Sequence, residues 1–208
     1  MKILIFGATG GTGRQLLQQG LDQGHHITAF VRNPTKLTIK NKNLVLVKGN
    51  ILNEKDVSSA MKGQEVIISV LGNKTSSALR ESNTIISESI GIIISQIKAN
   101  NVMRLLFVAS FGVNEKIFLP EKLFIRLVLK NIFADIPKQE ELIKKSGLDW
   151  TIVHPARLVN APKTEKYEAD EQLPIGLFSK IARSDVADFL LKNVDSKKYY
   201  RKIITISY

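Results

Sequence analysis

The sequence predicts an α/β protein built on a doubly wound parallel sheet, and three observations lead there. Short apolar, β-branched runs recur along the chain: Lys2–Phe6, His25–Val31, Leu44–Lys48, Glu65–Val70, Leu105–Ala109, Asp149–His154 and Arg201–Ser207. Amphipathic, helix-like stretches separate most of them. The first run turns through Gly7-Ala-Thr-Gly-Gly-Thr-Gly13 into a helical stretch that begins at Arg14. Right-handed crossovers between such strands bring their carboxyl ends to one edge of the sheet. With 44% hydrophobic and 24% charged residues, the 208-residue chain carries enough apolar surface for one core. A single domain over residues 1–208 is expected, with a small C-terminal lobe, the loop region 156–182, on the substrate side.

The punctuation between strands supports each element. Gly24 closes the first helix. Asn53 caps a second helix, which carries Glu54 and Asp56 in its first turn and ends near Gly63. Residues 82–99 are rich in isoleucine, but their length and regular polar interruptions predict a buried helix. A basic amphipathic helix is expected over Pro120–Phe133. Pro137 then opens a helix over Lys138–Ser146 that Gly147 stops. Trp150 reads as core filler, and His25 and His26 as turn and strand residues. Residues 156–174 read as polar and irregular. Ser184 is expected to cap a last helix that runs to about Asn193.

Composition removes several kinds of chemistry. The chain has no cysteine, which excludes disulfides, thiolate metal sites and cysteine nucleophiles. His25, His26 and His154 lack metal-ligand spacing, so no metal is expected. The apolar stretch Ile85–Ile97 is broken by Ser87, Glu88, Ser89, Ser95 and Gln96, so no membrane span is expected. Only four apolar residues follow Lys2 before the glycines, too few for a secretory core, and a cytoplasmic protein is the expectation. The net charge of +11, from 30 Lys and Arg against 19 Asp and Glu, suits a polyanion or a phosphorylated ligand. The basic residues are scattered and no aromatic residues interleave with them, which argues against a nucleic-acid partner.

The glycine turn carries the chemistry. A strand entering a helix through Gly7, Gly10 and Gly13 permits a tight turn, close approach to a pyrophosphate, and close strand–helix packing, in that order. The helix N-terminus then offers N–H groups and a positive dipole end to phosphates. At the end of the second strand, an NAD-binding unit carries an acid about twenty residues past the glycines. Here Arg32 stands in that place with no acid nearby. A guanidinium pairs with a 2′-phosphate, so NADP is favoured over NAD. Asn50, Ile51, Leu71 and Gly72 follow strands three and four and are candidate adenosine contacts.

Gly7–Gly13, Val31-Arg-Asn-Pro34, Gly49-Asn-Ile51, Ser146-Gly-Leu-Asp-Trp-Thr-Ile-Val-His-Pro155 and Ala182-Arg-Ser-Asp-Val-Ala187 occur in that order. Together they resemble the atypical short-chain dehydrogenase/reductases of Rossmann fold. The nearest pattern is the NAD(P)H-binding group of NmrA-like proteins and the biliverdin reductase B/flavin reductase branch. The resemblance implies phosphate contacts at Gly7, Thr9, Gly10, Gly11, Thr12 and Gly13, and a 2′-phosphate contact at Arg32. It sets Ser110 and Pro155 beside the nicotinamide. It also aligns Ala134–Lys138 with the Tyr-x-x-x-Lys pair of the wider superfamily, so that Lys138 is kept and the tyrosine is lost. Gly49-Asn50 departs from the usual Gly-Asp, and His154 replaces a frequent arginine.

Without that tyrosine, a tyrosine-driven carbonyl reduction is not expected at this position, and Tyr167 is the other phenol to consider. Ser110 has no His or Lys beside it and reads as a hydrogen-bonding group rather than a nucleophile. The leading expectation is an NADPH-dependent reductase that passes hydride to a flat conjugated acceptor, such as a flavin, tetrapyrrole or quinone. The protein would contribute mainly orientation. The alternative is a non-catalytic NADP-binding sensor of NmrA-like type that engages a protein partner, with the basic 116–130 segment as a docking face. Sugar epimerisation is a weaker third, opposed by the lost tyrosine.

Overall fold

The computed structural model describes residues 1–72, 85–109, 136–176 and 178–208. Ser110, the basic 116–130 segment, the helix expected over 120–133 and the first residues of the helix expected over 82–99 lie outside the described residues. In chain order the elements are β1 (Lys2–Phe6), α1 (Gly11–Asp22), β2 (His26–Val31), a 3-10 turn (Pro34–Lys36), β3 (Leu44–Lys48), α2 (Glu54–Met61) and β4 (Val66–Ser69). Then come α3 (Ile85–Ala99), β5 (Arg104–Val108), α4 (Ile136–Lys144), β6 (Asp149–Pro155), β7 (Arg157–Val159), β8 (Glu168–Asp170), β9 (Lys180–Ala182), α5 (Arg183–Lys192) and β10 (Lys202–Ser207).

Eight strands form one sheet in the order β3-β2-β1-β4-β5-β6-β10-β8, parallel except for β8, which runs antiparallel to β10 at the edge. The direction of winding reverses between β1 and β4, which pair directly. In a doubly wound sheet this reversal opens a crevice at the carboxyl ends of the strands.

Strand alternation divides the core into two layers. Ile3 and Ile5 of β1 pack with Leu16 and Leu17 of α1 and Val186 and Leu190 of α5 on one face. Leu4 and Phe6 point the other way, to Val57 and Met61 of α2, Ile90, Ile93 and Ile97 of α3, and Ile143 of α4. Each fully buried side chain of this size contributes about 1.5–3 kcal/mol, so two such faces outweigh any single cap, which is worth about 1 kcal/mol. The isoleucine-rich stretch is a helix for this reason: Ile90, Ile93, Ile94 and Ile97 make one helical stripe against the sheet. Trp150 lies in the same layer, buried.

The caps follow local chemistry at most ends. Asn53 accepts from the N–H groups of Lys55 and Asp56, and Gly24, Gly63 and Gly147 take positive φ just beyond their helices. Ser184 is a correction. It is not the cap of α5, because Ala182 holds that position without a side-chain cap, and the Ser184 hydroxyl donates to the Ala161 carbonyl at 2.8 Å. The stretch 156–174 is also more ordered than its composition implies. It contains β7, which pairs with β9 as a small two-stranded sheet, and β8, which extends the main sheet. Both are only three residues long, β7 as Arg-Leu-Val and β8 as Glu-Ala-Asp, and partner strands distant in sequence hold them.

Gly13 is the tightest point. A Cβ there would lie 2.2 Å from the Gly7 carbonyl oxygen and 2.7 Å from Ala8 Cα, both backbone atoms that no rotamer change can move. Gly7 has φ of 87°, and a Cβ on it would meet the Val70 carbonyl at 2.6 Å. Gly10 is looser, its nearest contact being the Gly7 oxygen at 3.3 Å. In urea denaturation, Gly13→Ala should therefore lose about 2 kcal/mol or more, whereas Gly10→Ala should lose clearly less. Equal losses would contradict this ranking.

Candidate cofactor site

The glycine turn sits at the winding reversal. Gly10 N–H donates to the Gly7 carbonyl at 3.0 Å, and Arg14 N–H reaches the Gly10 carbonyl at 2.9 Å, which closes the first turn of α1. Gly10 is the N-cap of α1 and supplies no side-chain acceptor, and α1 has no acid in its first turn. This contrasts with α2, whose end is satisfied by Asn53. The N-terminus of α1 is thus left as an uncapped positive end at the crevice. Gly10 and Gly11 are exposed, Gly7 and Thr9 half-buried, and Thr12 and Gly13 buried. A Cβ at Gly7 or Gly13 would strike the backbone of Val70, Gly7 or Ala8, so these glycines let α1 close on β1, and the bare first-turn N–H groups beyond them suit a diphosphate group.

The other predicted residues ring the same edge. Arg32 is exposed immediately after β2. The loop beyond it is shaped by Asn33, whose side chain accepts from Thr35 N–H at 3.0 Å, and by Arg14, whose guanidinium donates to the Lys36 carbonyl at 2.6 Å. Asn50 lies after β3, and its side-chain oxygen accepts from Leu52 N–H at 3.1 Å, a turn that an aspartate makes in the same way. Ile51 and Leu71 are half-buried against the α2–α3 layer, and Gly72 is exposed beyond β4. Pro155 ends β6, beside Ala109, whose neighbour Val153 accepts the Ala109 N–H at 2.9 Å. Lys138 is exposed in the first turn of α4. Ser110 lies outside the described residues.

A match to the family model described as NAD(P)H-binding spans residues 7–197. The chain belongs to this NAD(P)H-binding family. Among relatives, it is 26% identical over 200 residues to the uncharacterized sugar epimerase YhfK of Bacillus subtilis, covering 95% of this chain and 89% of that one. A Rossmann-fold NAD(P)-binding family protein from Shigella flexneri superposes with a TM-score of 0.75 at 26% identity, over 99% of this chain and 92% of that chain. The anaerobillin reductase ChuY from Escherichia coli O157:H7 shares the fold, with a TM-score of 0.78 at 18% identity over 99% of this chain and 96% of that chain. The family thus agrees with the NAD(P)H-binding resemblance read from the motifs. Among the described residues no helix is long and apolar enough to cross a membrane.

Three arrangements near the site were not visible in the sequence. Asp185, fully buried in the first turn of α5, accepts from Thr164 N–H at 2.9 Å, Thr164 hydroxyl at 3.0 Å, Glu165 N–H at 2.8 Å and Tyr208 hydroxyl at 2.6 Å. It fastens the 160–167 segment to the helix. Burial alone would raise its pKa, but these donors prevail and hold it below the ordinary range. Tyr167 is the second. Its hydroxyl donates to Asp188 at 2.8 Å and its ring packs edge-on to Phe189. Burial, then the Asp188 hydrogen bond and charge, push its pKa well above that of a free phenol. Tyr167 is therefore a structural clasp on α5 and does not replace the missing tyrosine.

The third is a buried pair. His154 Nε2 lies 2.8 Å from Glu140 Oε1, and Lys144 Nζ lies 3.1 Å from the other carboxylate oxygen. Burial would raise the Glu140 pKa, but His154 and then Lys144 bring it below the ordinary value. The pair ties α4 to the end of β6, and thereby fixes Pro155.

The pH sign is the same for both acids. With native pKa values depressed, their stabilisation is complete above the unfolded values of about 3.9 for Asp and 4.3 for Glu, and is lost as pH falls through the native values. Denaturation midpoints should therefore fall steeply below about pH 4 in the wild type. Asp185→Asn should lower stability at pH 7 and flatten this acid limb. An unchanged limb would show that Asp185 is not held as described.

Proposed function

We propose that the protein is an NADPH-dependent reductase that delivers hydride to a flat conjugated acceptor of the flavin, tetrapyrrole or quinone type. One observation carries the choice of cofactor: residues 23–53, which include all of β2, β3 and the loop between them, contain no Asp or Glu. The ribose-binding acid of an NAD site is therefore absent. Exposed Arg32 stands in its place, on a loop that Arg14 grips through the Lys36 carbonyl. An exposed guanidinium favours a 2′-phosphate and gives nothing comparable to a 2′-hydroxyl.

When bound, the nicotinamide supplies the hydride. The uncapped turn at Gly7–Gly13 would hold the diphosphate, Arg32 the 2′-phosphate, and Asn50, Ile51, Leu71 and Gly72 the adenosine. The stretch ending at Pro155 would border the nicotinamide, with Ser110 offering a hydroxyl there and Lys138 a cation on the same edge. The alignment offers no tyrosine acid, and Tyr167 is engaged elsewhere. That favours acceptors whose reduction does not need a strong protein acid. The segment 156–182, fastened by Asp185, would then cover the acceptor and bring it near the nicotinamide.

The test is NADPH oxidation against NADH oxidation, with flavin mononucleotide, biliverdin and quinones as acceptors. NADPH should be preferred, and Arg32→Ala should reduce that preference about tenfold or more. Tight NADP binding without turnover of any acceptor would instead support the NADP sensor that acts through a protein partner. Preference for NADH would reject the cofactor assignment.

A further inference from the structure

Gly7, Gly10 and Gly13 each have a place in the spacing of a dinucleotide turn, but Gly11 does not. The structure gives Gly11 a separate reason. A Cβ there would lie 2.6 Å from Arg183 Cδ and 2.7 Å from Arg183 Nε. Arg183, the first residue of α5, thus lays its side chain across the first turn of α1, and the missing side chain at Gly11 is what makes room for it.

The electrostatics of this placement are one-sided. The guanidinium Nη1 donates to the side-chain oxygen of Asn160 at 2.8 Å, a neutral partner. Among the described residues no carboxylate pairs with Arg183. The nearest acid in sequence, Asp185, is committed to Thr164, Glu165 and Tyr208. The guanidinium therefore lies at the uncapped, positive end of α1 without a compensating charge. A cation so placed is repelled by the helix dipole unless an anion joins them. It is also aimed rather than free. Asn160 holds its tip, Ser184 fixes the Ala161 carbonyl, and Asp185 fastens residues 164 and 165.

We infer that Arg183 is a diphosphate-binding residue: it reaches over Gly11 from α5 and pairs with the diphosphate of the bound dinucleotide, opposite the backbone N–H groups of α1. Asn160 is its positioning residue. This inference rests on the nucleotide reading above and adds a side-chain contact from the far end of the chain. It makes the diphosphate a bridge between the N-terminal turn and the C-terminal lobe.

The experiment is equilibrium titration calorimetry with NADP+ and, separately, with adenosine 2′-monophosphate, which has the 2′-phosphate but no diphosphate. Arg183→Ala should weaken NADP+ binding about tenfold or more, as loss of a charge-assisted hydrogen bond does, and leave the monophosphate within about twofold. Arg183→Lys should recover part of the loss. Gly11→Ala, which displaces the guanidinium without removing it, should weaken NADP+ selectively as well. Arg32→Ala, by contrast, should weaken both nucleotides. The unliganded melting temperature of Arg183→Ala should match the wild type, because among the described residues the side chain makes a single hydrogen bond, to an exposed amide. If Arg183→Ala binds NADP+ as the wild type does, or weakens both nucleotides alike, the inference is overturned while the cofactor reading stands. A wild type that binds neither nucleotide would overturn both.

Discussion

The fold depends on how closely the Gly7 carbonyl approaches Gly13. At that contact the backbone of β1's exit touches the backbone of α1 with no room for a single methyl group. The contact sets the angle at which α1 leaves the sheet, lays Leu16 and Leu17 on Ile3 and Ile5, and directs the first-turn N–H groups into the crevice. Packing and ligand geometry are thus one constraint. The same glycines that let the helix lie flat on the sheet leave its N-terminus bare.

Two helix starts illustrate how the chain treats this requirement differently in different places. At α2 the first-turn donors are satisfied internally by Asn53, and acids sit beside the dipole, as for a helix whose end has no other task. At α1 neither device is present. The net charge of +11 becomes meaningful in this context. Some of the 30 basic residues behind it are paired with acids, as where Lys202 meets Glu171 at 2.7 Å and Lys192 meets Glu165 and Asp188. Among the described residues Arg183 pairs with the Asn160 amide and with no acid.

The C-terminal third packs α5 and β10 into the apolar core, but its 160–167 segment is held to α5 through polar contacts. Asp185 and Asp188 are almost fully buried, and both are turned towards the 160–167 segment. Buried carboxylates without partners would cost several kcal/mol, so this segment cannot leave without exposing that cost. Such a fastening is directional, whereas hydrophobic packing is not. It orders a stretch whose own sequence has too few apolar residues to fold by itself. Glu140 and His154 do the same for α4 and the end of β6.

By itself the sequence determined the sheet, the order of its central elements and the location of the crevice, because these rest on local signals. Strand runs, the Asn53 cap, Gly24, Gly63 and Gly147 act within a few residues of where they are read, and the glycine turn and Arg32 belong to one βαβ unit. Tertiary structure alone decided the roles of the polar residues. Ser184 looked like a cap and instead holds the Ala161 carbonyl, 23 residues away. Tyr167 looked available and is bound to Asp188, 21 residues on. Arg183 lies 172 positions from the glycine it covers (183 minus 11). Hydrogen bonds and ion pairs are short-ranged in space but indifferent to separation along the chain. Their partners exist only once the two faces of the sheet have been packed.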